Sequence, residues 1–172
     1  MSRHRLSFTV KFLLLMVAQI LICNYFRLTP YICLTIMPAV ILCLPTKVST
    51  TWALVIAFAT GLAIDLFSEG ILGINTLALV PVALVRKSLI DLMFGKELFE
   101  RKEEISIGKF GYGSVSAAII IVQALFLIVY IWADGAGTRT MIFNTVRFLL
   151  SLLSGYLLSL PVVDIITSDE KR

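Results

Sequence analysis

Charge is what this sequence has least of. Only 15% of its 172 residues are Asp, Glu, Lys or Arg, while 59% are apolar. Soluble domains carry about 25% charged and 45–50% apolar residues. The charges also cluster and leave uncharged tracts over residues 110–133, 28–46, 48–64 and 148–163, which are 24, 19, 17 and 16 residues long. A helix that crosses a bilayer needs about 20 mainly apolar residues, with a working range of roughly 17–25. A soluble helical protein would need polar outward faces, and these tracts have almost none. The composition excludes an ordinary soluble domain and predicts an integral membrane protein.

Histidine is scarcer still. His4 is the only one, and it lies in the basic amino-terminal stretch, which argues against catalysis or metal binding built on imidazole. The three cysteines, Cys23, Cys33 and Cys43, show no metal-ligand spacing and read as small hydrophobes in lipid. Gly108, Gly111 and Gly113 lie close together, but no Gly-Lys-Ser/Thr follows, so a phosphate-binding loop is excluded. Energised chemistry would have to come from a partner, and no cofactor or metal is expected. A channel or secondary transporter would show an internal repeat or several polar residues at mid-membrane. No repeat is evident, and Gln19 and Gln123 are the only amides near the centres of their spans.

The apolar tracts predict six helices at about residues 6–26, 29–44, 49–67, 71–88, 112–133 and 141–163. Pro30, Pro38 and Pro45 bracket or interrupt the second, which is expected to be short and kinked. Leu6 to Phe26 begins like a signal peptide, but Cys23-Asn24-Tyr25-Phe26-Arg27 is a poor small-residue cleavage site, so a retained span is expected. Placing the amino terminus inside puts twelve of the fifteen Lys and Arg residues on the cytoplasmic side. Only Arg27, Arg139 and Arg147 fall outside or near the outer interface. The expected fold is therefore all-α, a single polytopic membrane domain over residues 1–172 with both termini cytoplasmic. The net charge of +4 follows from this topology and does not imply a nucleic-acid partner. No soluble domain is expected at either end. Residues 91–111 form one charged cytoplasmic loop, a solvated face and the natural place for a cytoplasmic partner to touch.

The stretch TGLAIDLFSEGILGINTLALV (Thr60 to Val80) places Asp65, Glu69 and three glycines in otherwise apolar surroundings. A carboxylate at membrane depth must be paired, protonated or wet. Arg147 enters the sixth span at a similar depth with the opposite charge, so one expectation is an Asp65–Arg147 pair or a shared polar cavity. The plainer alternative is that Asp65 caps an interfacial turn. Gly61 allows close helix contact, and Gly70 and Gly73 ease the turn between the third and fourth spans. Ser68 can bond locally there, and Asn75 can hydrogen-bond between helices. Asp65 and Glu69 have no nucleophile or histidine beside them, so no catalytic residue is assigned. Tyr130 and Trp132 read as interfacial anchors.

The segment GLAIDLFSEGILGINTLALVPVALVRK resembles the characteristic segment of the MreD family, multispanning components of the bacterial rod-shape machinery. Gly61, Leu62, Asp65, Ser68, Leu72, Gly73, Asn75 and Thr76 carry the likeness, and Glu69 departs from it where many members have a small residue. The layout of the whole chain is similar too, although the specific part is about 25 residues. The resemblance implies a non-catalytic scaffold for sidewall peptidoglycan synthesis in the bacterial inner membrane. Its implied partners are an MreC-like periplasmic protein, the glycosyltransferase RodA with its transpeptidase and, less directly, the actin-like protein MreB. The same layout is similar to that of six-helix substrate-binding subunits of vitamin transporters, which work with a separate ATPase module. On that alternative, Asp65, Glu69, Asn75 and Arg147 would line an outward-facing pocket.

Overall fold

A computed structural model describes residues 8–25, 31–69, 72–95, 105, 107–135 and 139–167. They form six helices: α1 (Phe8–Tyr25), α2 (Met37–Leu42), α3 (Thr50–Ile64), α4 (Ile74–Phe94), α5 (Ile107–Gly135) and α6 (Met141–Thr167). A wider π-type turn, Asp65–Glu69, extends α3. Four stretches are long and apolar enough to cross a bilayer: Phe8–Tyr25, Thr50–Ser68, Phe110–Gly135 and Met141–Ile166. The chain is an all-helical, multi-pass membrane protein. At 21 residues, α4 is about 32 Å long, although Arg86, Lys87 and Asp91 interrupt its second half.

The packing follows from side-chain size. Along α3 the buried residues include Ala53, Ala57 and Gly61, four apart and so on one face. This small-residue stripe lets α4 approach closely. α4 packs on α3 and on α5, and α5 packs on α6. α1 lies outermost with Gln19 as its one buried residue, and it turns Val10, Leu13, Leu14, Val17 and Leu21 outward. Such an apolar exterior suits lipid as the surrounding solvent.

Polar side chains close the bundle at both ends of α1. Near its start, Lys11 Nζ donates to the carbonyls of Ile165 (2.9 Å) and Ile166 (3.3 Å) at the end of α6. Near its end, Asn24 Nδ2 donates to the Phe67 carbonyl at 3.0 Å.

The second expected span is corrected. Instead of a helix over residues 29–44, residues 32–36 are non-helical and α2 has only six residues. Proline explains the break. Pro38 sits in the first turn of α2, where a missing N–H costs little. Continuing the helix backward would set the Pro38 ring against the carbonyl of Leu34 and leave that carbonyl without a donor. Residues 36–44 are buried throughout, and α2 is surrounded by α1, α4, α5 and α6. The core of this protein includes a broken segment packed among longer helices, of which α5 is itself kinked at Gly111 (φ 78°).

The fourth helix also differs, ending at Phe94 where an end near Ser88 was expected. Residues 96–104 and 106 of the charged stretch from 91 to 111 lie outside the described residues.

Candidate functional site

The Thr60 to Val80 stretch folds into a knot around one carboxylate. Asp65 follows Gly61 by one helical turn, and its side chain is fully buried. Oδ1 accepts from the backbone N–H of Asn75 (2.9 Å) and from Asn75 Nδ2 (3.0 Å). Oδ2 accepts from the backbone N–H of Gly73 (2.9 Å) and Thr76 (3.2 Å) and from Thr76 Oγ1 (2.9 Å).

These donors are the opening turn of α4. Gly73, at φ 101°, occupies the N-cap position but has no side chain to cap with. Asp65 supplies from the preceding helix the acceptor that a Ser or Asp normally supplies locally. The positive end of the helix dipole faces the same carboxylate. A Cβ on Gly61 would lie 2.5 Å from Thr76 Cα and 2.7 Å from Thr76 N, so the glycine is what lets the two backbones come this close. Ser68 Oγ donates to the Ile64 carbonyl inside the wider turn. The structure thus joins Gly61, Asp65, Ser68, Gly73 and Asn75 in one unit. Gly70 and the Glu69 side chain lie outside the described residues.

Arg147 does not join this unit, and its expected pairing with Asp65 is corrected. Its guanidinium bonds Asp134 at the end of α5 and lies 5.7 Å from the centre of the Tyr130 ring. Asp134 Oδ2 also receives Arg139 Nη1 at 2.9 Å. Three of the five donors to Asp65 are backbone N–H groups, which a sequence does not advertise as residue types. We expect Arg147→Met and Asp134→Ala to couple by about 1–3 kcal/mol in a double-mutant cycle read by unfolding in detergent. Arg147→Met and Asp65→Ala should be additive. Tyr130 is buried and stacked on Phe126, whereas Trp132 is 75% exposed, as an interfacial anchor would be.

A second polar system serves the broken segment. Gln19 Nε2 donates to the Leu34 carbonyl at 3.0 Å, which is the carbonyl Pro38 cannot serve. Gln19 Oε1 accepts from Ile36 N–H at 2.8 Å. Gln123 Nε2 donates to the Thr35 carbonyl at 3.0 Å, and Ser151 Oγ accepts from Cys33 N–H at 2.8 Å. A Cβ on Gly155 would fall 2.2 Å from Gln123 Nε2, so Gly155 makes room for that amide. At the far end, Arg86 donates to the carbonyls of Leu42 (3.1 Å from Nε) and Leu44.

Buried non-helical backbone needs partners from the protein, and these side chains supply them to Cys33, Leu34, Thr35 and Ile36. Arg86, counted among the cytoplasmic charges, is buried and also caps α2. Gln19→Leu should lower stability by about 2 kcal/mol, since one buried donor and one buried acceptor lose their partner. An unchanged thermal midpoint in detergent would refute this role.

Among the described residues, no three His, Cys, Asp or Glu side chains are placed to hold a metal. A groove of about 180 Å³ opens between α5 and α6, lined by Ile120, Leu149, Leu152, Leu153 and Tyr156. It is smaller than the roughly 300–1,000 Å³ of small-molecule sites and contains none of the residues of the Asp65 knot. The chain matches no protein family, no curated protein and no solved structure.

Proposed function

We propose that this chain is a non-catalytic membrane scaffold of the MreD type, acting in the cell-elongation machinery of the bacterial inner membrane. The observation that carries the reading is the state of Asp65. It and Asn75 lie in the segment of resemblance and were the strongest candidates for a substrate pocket. Yet Asp65 is fully buried and holds five hydrogen bonds, two of them to Asn75. A carboxylate committed in this way positions helices and has little capacity left for a ligand. That favours a rigid assembly platform over the substrate-binding subunit of a vitamin transporter.

The proposed topology has six crossings with both termini cytoplasmic. Lys11, bonded to Ile165 and Ile166, holds the start of α1 at the same end as the close of α6, which supports an even number of crossings. The broken segment supplies the second crossing. It runs from Tyr31, whose ring packs at a tilt against Phe143 near the start of α6, to Leu44 beside Arg86. Partly unwound, its fourteen residues reach about 30 Å.

The proposed partners are an MreC-like protein, RodA with its transpeptidase and, less directly, MreB. Purification of the tagged chain from its native membrane in mild detergent, followed by mass spectrometry of proteins and released small molecules, tests this. Co-purifying wall synthases and an MreC-like protein would support the scaffold. An ATPase module or a stoichiometric vitamin would overturn it.

A further inference from the structure

We propose that Arg139 and Arg147 form a binding site for the phosphate of a phosphoglycerol headgroup, at the end of the bundle where α5 gives way to α6. Both guanidiniums converge on a single oxygen, Asp134 Oδ2. Two cations against one carboxylate leave an excess positive charge. The intervening residues Ala136, Gly137 and Thr138 are uncharged in the sequence.

Donor capacity is left over as well. A guanidinium has five N–H groups, and Arg147 Nε is buried without a hydrogen-bond partner. The exposure is graded, with Arg139 at 36%, Asp134 at 16% and Arg147 at 10% of their side chains. Arg139 therefore forms the mouth of the site and Arg147 its floor.

The surroundings hold the mouth in place. Arg139 lies 5.4 Å from the centre of the Phe143 ring, and the Tyr31 ring packs against the same ring with centroids 4.8 Å apart. Arginine in such a setting keeps its planar fork, which matches two oxygens of a phosphate. Asn144, one turn before Arg147 on α6, has a buried Oδ1 without a partner. That acceptor suits the hydroxyl of a glycerol headgroup. The site also lies at the end of two membrane-length helices, which is the level of lipid phosphates. The chemistry recognised is a phosphate anion, from a lipid headgroup or from free phosphate.

The test is native mass spectrometry of the full chain in a neutral detergent, with dioleoyl phosphatidylglycerol or dioleoyl phosphatidylcholine added. Wild type should retain one phosphatidylglycerol in preference to phosphatidylcholine. R139Q, at the most exposed position, should lower retention about tenfold, the scale of one charge-assisted contact. D134N removes the internal competitor and should raise retention, whereas a purely structural ion pair predicts a fall. K87Q, at an exposed site on α4, should change nothing. Adding millimolar inorganic phosphate separates the sources. Displacement of the lipid would mean that the site takes the free anion as well, and persistence of the lipid would mean that it reads the headgroup. Equal retention of the two lipids, indifference to R139Q, a fall with D134N or an equal loss with K87Q would each overturn the site.

Discussion

Gly61→Leu should yield no monodisperse protein, and Gly61→Ala should yield protein that unfolds well below wild type. Even the single methyl of alanine would sit 2.5 Å from Thr76 Cα and 3.0 Å from the Asn75 carbonyl carbon. Both are backbone atoms, so no rotamer change relieves the overlap, and α3 and α4 must move apart. That movement lengthens the bonds that Asp65 makes to the first turn of α4, which are now 2.9–3.2 Å. Overpacking and a weakened cap add together, and a loss above about 3 kcal/mol is expected. Gly155 makes the informative comparison. Its added Cβ would meet the Gln123 side chain, which can swing aside at the cost of its bond to Thr35, so Gly155→Ala should cost less than Gly61→Ala. Thermal midpoints in detergent rank the two. A wild-type midpoint for Gly61→Ala would remove the close crossing from the account.

Asp65→Ala is expected to be nearly as severe. It strips the acceptor from five donors at a position with no access to water. Removing one member of a buried charged arrangement typically costs about 3–5 kcal/mol. Asp65→Asn should fall between wild type and alanine. It keeps the volume and one oxygen but turns an NH2 toward backbone N–H groups that need an acceptor. Exchanging the charges, with Asp65→Arg and Arg147→Asp together, should rescue nothing, because the two side chains serve different partners. Recovery of the midpoint in the exchanged protein would restore the direct pair.

Much of the membrane architecture was legible in the sequence because hydropathy is a local property. Three of the four uncharged tracts of 16–24 residues lie in long helices, one of them despite Pro161. Pro30, Pro38 and Pro45 marked the second tract as irregular. They did not reveal that half of it would leave the helix, because that outcome depends on what could catch its free carbonyls. The catching groups are Gln19 on one side of the segment and Gln123 and Ser151 far along the chain on the other. An isolated glutamine in an apolar span announces a polar contact and says nothing of its partner.

Asp65 was legible in the same limited way. A buried carboxylate demands donors, and opposite charge made Arg147 the natural candidate. The donors proved to be mostly backbone N–H groups exposed by a helix start, which every non-proline residue carries. Arg86 carries a structural role beyond the topology read from its charge. Basic residues are ordinarily read as topology markers, and only the ending of α2 beside α4 shows this one capping Leu42 and Leu44.

The broken segment also bears on how the protein is made. Ribosomes deliver residues 31–44 long before Arg86, Gln123 and Ser151 exist. If this stretch is the second crossing, as proposed, Gln19 is the only one of the side-chain partners described above that has been synthesised when it first meets the lipid. Its unwound form cannot be stable then, so the segment must wait, as a strained helix or outside the bilayer, until α5 and α6 arrive. Nascent chains stopped before residue 123 should leave this segment accessible to labelling from the aqueous side and open to proteolysis. Chains released after residue 151 should protect it.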